Sequence, residues 1–214
     1  MAFGRRRRNR NKLDATMPGQ EHREHPQEPT SGPWDVADAP ADDVERLDLG
    51  ALQVPLVPGC EVQLGMSPEG IPVAATITSR GGAIELAVYA APRTGGIWDS
   101  VRREILAEIS ANGGTGQEQD GPWGRELTTR VRAQNGHQAA RFIGIDGPRW
   151  FLRAVVSGPA AEAGGRPGEF EDALRQVVVA RGQDPMPVRD PLPLQLPRDV
   201  AEQIEAQLPD GAPD

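Results

Sequence analysis

Apolar residues recur at every second position along much of the middle of this chain, and at one place the spacing lengthens to three and four. Val73, Ala75 and Ile77 share one side of a predicted strand. After the turn sequence Ser79-Arg80-Gly81-Gly82, Ile84, Leu86, Val88 and Ala90 share one side of the next. Period-two alternation on both sides of a glycine turn predicts an antiparallel hairpin. Before it, Leu52 to Leu56 and Glu61 to Leu64 read as short extended pieces broken by Pro55 and Pro58. After it, Trp98, Val101, Ile105 and Ile109 form a helical stripe that Leu106 widens, with Asn112-Gly113-Gly114 as its stop.

Glu126 to Val156 returns to alternation and predicts three strands joined by tight turns at Asn135-Gly136 and Asp146-Gly147, dipeptides suited to positive φ. With those turns Phe142 faces Phe151, and Arg149 and Arg153 share their face together with Leu127, Val131 and Val155. Ile143, Ile145, Trp150, Leu152 and Val156 fall on the other face. Apolar residues on both faces predict a sheet covered on both sides, with Arg149 and Arg153 at the rim; a slip of one residue would exchange the faces. Glu169 to about Ala180 predicts a second helix with Phe170, Ala173, Leu174 and Val177 inward, although its β-branched end suits extended chain equally. Asp184 to Pro197 is punctuated by proline and predicts an extended strap carrying Leu192, Leu194 and Leu196, followed by a short amphipathic helix from Asp199 to Leu208.

The predicted class is α+β. It is a single domain over residues 46–197, with an antiparallel sheet of about five to seven strands, two main helices packed on it and the proline-rich strap. Residues 1–45 are expected to be a disordered tail with a basic arm, because a polar segment rich in Pro, Glu and Gln buries too little to offset its chain entropy. Trp34 is its exception and is expected to dock on its own domain. Residues 198–214 are expected to be a short helix and tail.

Composition adds three constraints. No run approaches the roughly 18 apolar residues that span a bilayer. Cys60 is the only cysteine, which excludes an intrachain disulfide and a cysteine metal cage, and suits a reducing cytoplasm. The formal net charge is −8, yet Arg5, Arg6, Arg7, Arg8, Arg10 and Lys12 place six cations in the first twelve residues, leaving −14 on the rest. Lys12 is the only lysine, which reads as coding bias toward arginine. The start resembles a signal peptide only superficially, because Asn9 to Pro29 is polar throughout.

Catalytic chemistry finds little support. His22 and His25 fall in the predicted tail and His137 at a turn, so a serine or cysteine nucleophile lacks its base. Glu104 and Glu108, one helical turn apart beside Arg102 and Arg103, read as a solvated helix face. Asp146 is accounted for by its turn. No nucleotide-binding, nucleophile-elbow or zinc-protease pattern occurs, and no cofactor or metal is expected. Phe142 and Phe151 bordered by arginines resemble the chemistry of a stacking platform for single-stranded RNA, but the apolar residues around them favour core, and the acidic body lacks a basic footprint. The arginine arm can bind nucleic acid, anionic lipid or an acidic partner.

Six pieces occur in order: Phe3-Gly4-Arg5-Arg6-Arg7, Gly32-Pro33-Trp34-Asp35, Arg46-Leu47-Asp48-Leu49-Gly50, Ala91-Pro92-Arg93 with Gly96-Ile97-Trp98, Asp146 to Arg153, and Arg189-Asp190-Pro191-Leu192-Pro193-Leu194. Together they resemble an uncharacterised family of high-GC Gram-positive (actinobacterial) proteins, a domain of unknown function without assigned activity. The resemblance implies a cytoplasmic bacterial protein. The element order is also similar to PsbP-like α/β sandwiches. The favoured function is a non-catalytic protein-interaction or accessory module. Arg5, Arg6, Arg7, Arg8, Trp34, Arg149 and Arg153 are its candidate contact residues, and the oligomeric state is left open. The alternatives are a nucleic-acid-binding protein using the arginine arm and a small enzyme with an unrecognised site.

Overall fold

The computed structural model describes residues 31–133, 136–162 and 168–197. In chain order the elements are β1 (Trp34–Asp35), β2 (Arg46–Asp48), β3 (Leu52–Pro55), β4 (Glu61–Met66), β5 (Pro72–Ser79), β6 (Gly82–Ala90), α1 (Trp98–Ala111) and β7 (Thr115–Gly121). They continue with β8 (Gly124–Ala133), β9 (Gly136–Gly147), β10 (Trp150–Ser157), α2 (Pro159–Glu162), α3 (Glu169–Arg175) and β11 (Val178–Val179). Seven strands form one sheet in the order β4-β5-β6-β10-β9-β8-β7, and the other four form a small sheet, β1-β11-β3-β2. Every neighbouring pair of the large sheet is antiparallel. The α+β class and the single domain hold. The small sheet is an addition that its very short strands conceal from any periodicity.

The centre of the large sheet is covered on both faces. Leu152 lies opposite Val88 and Ile145, and Ala154 opposite Leu86 and Ile143. This face meets Leu52 and Val54 of the small sheet, Leu49 from the β2–β3 connection, and Ala173, Leu174 and Val177 around α3 in the main core. The opposite face carries Tyr89, Phe142 and Phe151, which meet Ile97 just before α1 and Trp98, Val101 and Ile105 of α1. The helical stripe and its glycine stop are therefore found where expected. Helix α1 is anchored from across the sheet. Ile97 N–H donates to Asp146 Oδ1 at 2.8 Å and Trp98 N–H to Oδ2 at 3.2 Å. Asp146 is thus more than a turn residue, because its carboxylate satisfies donors that the helix start leaves open.

Both tight turns differ from expectation in register. Gly147 pairs with Trp150, so the turn residues between β9 and β10 are Pro148 and Arg149, with Arg149 at φ 64°. Proline supplies the first turn position and the positive φ falls on the second, a type II pattern. Phe142 consequently lies opposite Val155, not Phe151. Between β8 and β9, Ala133 pairs with Gly136, which makes Gly136 the first residue of β9; Asn135 lies outside the described residues. Each shift moves the pairing by an even number of positions, so Leu127, Phe142 and Phe151 stay on one face and Ile143, Trp150 and Leu152 on the other.

Three further differences have physical causes. Strand β7 has no large apolar residue and pairs through its backbone against β8. The second helix stops at Arg175, and the β-branched Val178 and Val179 become a strand. The expected tail boundary at residue 45 is overtaken from Gly32 onward. Trp34 N–H donates to Val177 O and Val36 N–H to Val179 O, each at 2.9 Å, placing Trp34 on its own domain.

The strap replaces β5 where that strand stops pairing with β6 at Leu86. Arg189 N–H donates to Ala90 O at 2.8 Å, Ala90 N–H to Asp190 O at 2.9 Å and Leu192 N–H to Val88 O at 2.8 Å. Leu192 and Leu194 are buried, whereas Leu196 is 36% exposed, so two of the three leucines serve as expected. The predicted helix from Asp199 lies outside the described residues. No described helix is long and apolar enough to cross a membrane.

Candidate functional site

The α1 face of the large sheet is only partly covered. Trp98 seats the first turn of α1 against β9 at Gly144, where a side chain would collide with the indole. Its ring stacks on Phe151 with centroids 5.9 Å apart, and Tyr89 lies 6.0 Å from Phe151 on another side. Phe151 is 2% exposed. Toward the C-terminal end of α1 the covering thins, leaving a cavity of about 360 Å³. Phe142 and Arg153 come from the sheet, Ile105 and Ile109 from the helix, with Glu108 and Asn112 at the exposed rim.

Arg153 is the only cation in that lining. Its Nη2 reaches Glu85 Oε1 at 3.3 Å, and its guanidinium carbon lies 5.4 Å from the centre of the Tyr89 ring. Its Nε is buried without a hydrogen-bond partner among the described residues. Burial, the leading cause, raises the Tyr89 hydroxyl above its ordinary value, and Glu85 adds to this while Arg153 opposes it. The phenol therefore remains a neutral neighbour of the guanidinium near neutral pH.

The other sequence-predicted residues do not converge here. Arg149 occupies the β9–β10 turn, where its carbonyl accepts from Ala91 N–H at 2.9 Å and Arg181 Nε at 3.2 Å. Trp34 belongs to the small sheet on the other side of the molecule. Arg5, Arg6, Arg7 and Arg8 lie outside the described residues. The two-ring stacking platform is absent because Phe151 is sealed under Trp98 and Tyr89, while Phe142 is half-buried in the cavity wall.

A second group was not expected. Arg141 on β9 is 4% exposed and lies between Glu126 of β8, 1% exposed, and Glu171 of α3, 4% exposed. Arg141 Nε donates to Glu126 Oε2 at 2.6 Å and Nη2 to Glu126 Oε1 at 3.2 Å, while Nη1 donates to Glu171 Oε1. Burial opposes the charge on Arg141, but its bonds to both carboxylates outweigh burial and raise its guanidinium above the ordinary value. Arg141 falls in phase with Ile143 and Ile145. A charged residue on the apolar phase of a buried strand is the signal that would have located the group. Among the described residues, no group of three His, Cys, Asp or Glu is placed to hold a metal ion.

The geometry defines a layered α+β domain, an antiparallel sheet between a helix on one face and a small sheet with a short helix on the other. The chain belongs to the family described as protein of unknown function (DUF3710), which matches residues 32–203. No curated protein is a significant match. Among solved structures, the chain has a weak likeness to cyanobacterial PsbP (CyanoP) from Synechocystis sp. PCC 6803. The TM-score is 0.35 at 13% identity, covering 64% of this chain and 92% of that one.

Proposed function

We propose that the domain is a non-catalytic interaction module and that the cavity between α1 and the sheet receives part of a protein partner. The buried Nε of Arg153, unpartnered among the described residues and belonging to a side chain that lines the cavity with Phe142, Ile105 and Ile109, carries this proposal. A buried donor left without an acceptor gains from any group that supplies one. The cavity suits a carboxylate of the partner, from an acidic side chain or a chain end, with an apolar neighbour covering Phe142. Glu108, the lining's only carboxylate, lies at the exposed rim, an arrangement that favours holding over bond-breaking. A reducing bacterial cytoplasm is the proposed setting, supported by the solitary Cys60.

The test uses three baits: the intact chain, Arg153→Gln, and a truncation lacking residues 1–12. A protein partner held by the intact chain and the truncation but lost from Arg153→Gln supports the cavity. Retention by Arg153→Gln refutes it. Salt-sensitive capture of RNA or DNA that disappears with the truncation would replace it with binding through the arginine arm.

A further inference from the structure

Beneath the opposite face of the sheet, a cavity of about 410 Å³ adjoins the buried ionic group. Its apolar lining includes Val156, Pro159, Ala160 and Phe170, and its polar lining includes Arg141, Glu169 and Glu171. Glu126, Arg141 and Glu171 together carry one excess negative charge. Both oxygens of Glu126 are engaged by Arg141, and Oε1 of Glu171 by the same guanidinium. Oε2 of Glu171 is buried and has no hydrogen-bond partner among the described residues. Glu169 adds a second carboxylate, whose Oε1 accepts from Ser79 Oγ.

We propose that this cavity is a binding site for a primary alkylammonium group, with Glu171 Oε2 as its principal acceptor. An uncompensated buried carboxylate oxygen calls for a cationic donor. A guanidinium fits poorly, because its fork needs two open acceptors side by side and Glu171 has one. A hard metal ion such as calcium fits poorly as well, because it takes six to eight oxygen ligands, in round numbers. An ammonium is a point charge satisfied by one strong acceptor and weaker neighbours, and the Val156, Ala160 and Phe170 walls cover its alkyl chain. The site lies on the other face of the sheet from Arg153, so it stands independently of the proposed partner cavity.

The probe is n-butylammonium chloride, titrated into the full-length protein by calorimetry and backbone amide NMR. Potassium chloride at matched ionic strength and 1-butanol are the controls. Saturable binding with shifts at Gly81, Ala160 and Phe170 supports the site. Glu171→Gln keeps an acceptor for Arg141 but replaces the open oxygen with a donor, and should weaken binding by about ten- to a hundredfold. Ala160→Leu narrows the cavity without touching charge and should also weaken it, which decides the matter if Glu171→Gln fails to fold. An equal response to potassium chloride or butanol overturns the proposal, as does unchanged affinity in both variants.

Discussion

Replacing Arg141 by methionine separates two accounts of the buried ionic group. The side chain leaves with its three hydrogen bonds, and two carboxylates, at 1% and 4% residue exposure, stay behind. Removing one partner of a buried ion pair typically costs about 3–5 kcal/mol, because the remaining charge is uncompensated. Two carboxylates depend on this one guanidinium, so the upper half of that range is expected. For a domain of this size each kcal/mol moves the melting temperature by roughly 2–4 °C, which gives a fall on the order of 10–20 °C. Urea denaturation followed by far-ultraviolet circular dichroism and tryptophan fluorescence measures the loss, provided the two transitions coincide. The triple variant Glu126→Leu/Arg141→Met/Glu171→Leu removes every charge of the group and should recover most of the stability. A loss below about 1 kcal/mol in Arg141→Met would refute the uncompensated-charge argument. A triple variant as unstable as the single would assign the loss to packing.

Asp146→Ala removes the acceptor for the first two N–H groups of α1 and should cost about 1–2 kcal/mol by urea denaturation, with Asp146→Asn intermediate. Gly144→Ala places a methyl group against the Trp98 indole and should cost about 1–3 kcal/mol with a changed near-ultraviolet dichroism; an unaltered signal would show that the ring is not seated there. Arg189 donates to both oxygens of Glu104, at 2.9 and 2.8 Å, and this bond holds the carboxyl below its ordinary value of 4.5. A depressed folded value means that the bridge contributes above the ordinary value and is lost as pH falls through the folded one. Carboxyl NMR should therefore place the Glu104 midpoint below 4.5, and Arg189→Gln should return it toward 4.5.

The faces of the large sheet were legible because parity is harder to lose than register. Misplacing the β9–β10 turn by two residues set Phe142 against Phe151 in place of Val155, yet each kept its side. Only a shift by an odd number would have exchanged the core for the α1 face. The small sheet was not legible, since two-residue strands such as Trp34–Asp35 have no period to read. Their pairing is long-range: Trp34 lies beside Val178, and Val178 beside Gln53. Strand β7 was missed for the opposite reason: with Gln, Glu and Asp along it, no apolar signal marks it. At the candidate site, Arg153 and Phe142 were named from the sheet pattern, while the contribution of Ile105 and Ile109 needed the position of α1 over β9 and β10.

The chain's reliance on arginine first reads as coding bias, since Lys12 is the only lysine. That origin does not remove its consequences inside the fold. Arg141 uses Nε and Nη2 on one carboxylate and Nη1 on another, which a compact ammonium with a single centre cannot imitate across two elements. Arg189 applies the same fork to Glu104 and reaches Ser100 Oγ at 2.9 Å, tying the strap to α1. Arg153 is the exception, because it makes one long hydrogen bond to Glu85, lies over the Tyr89 ring and keeps a buried donor unused among the described residues. The fork that closes the interior at Arg141 is left incomplete at Arg153. The α1 face is accordingly the proposed side for a protein partner, because there an arginine donor stays open among the described residues.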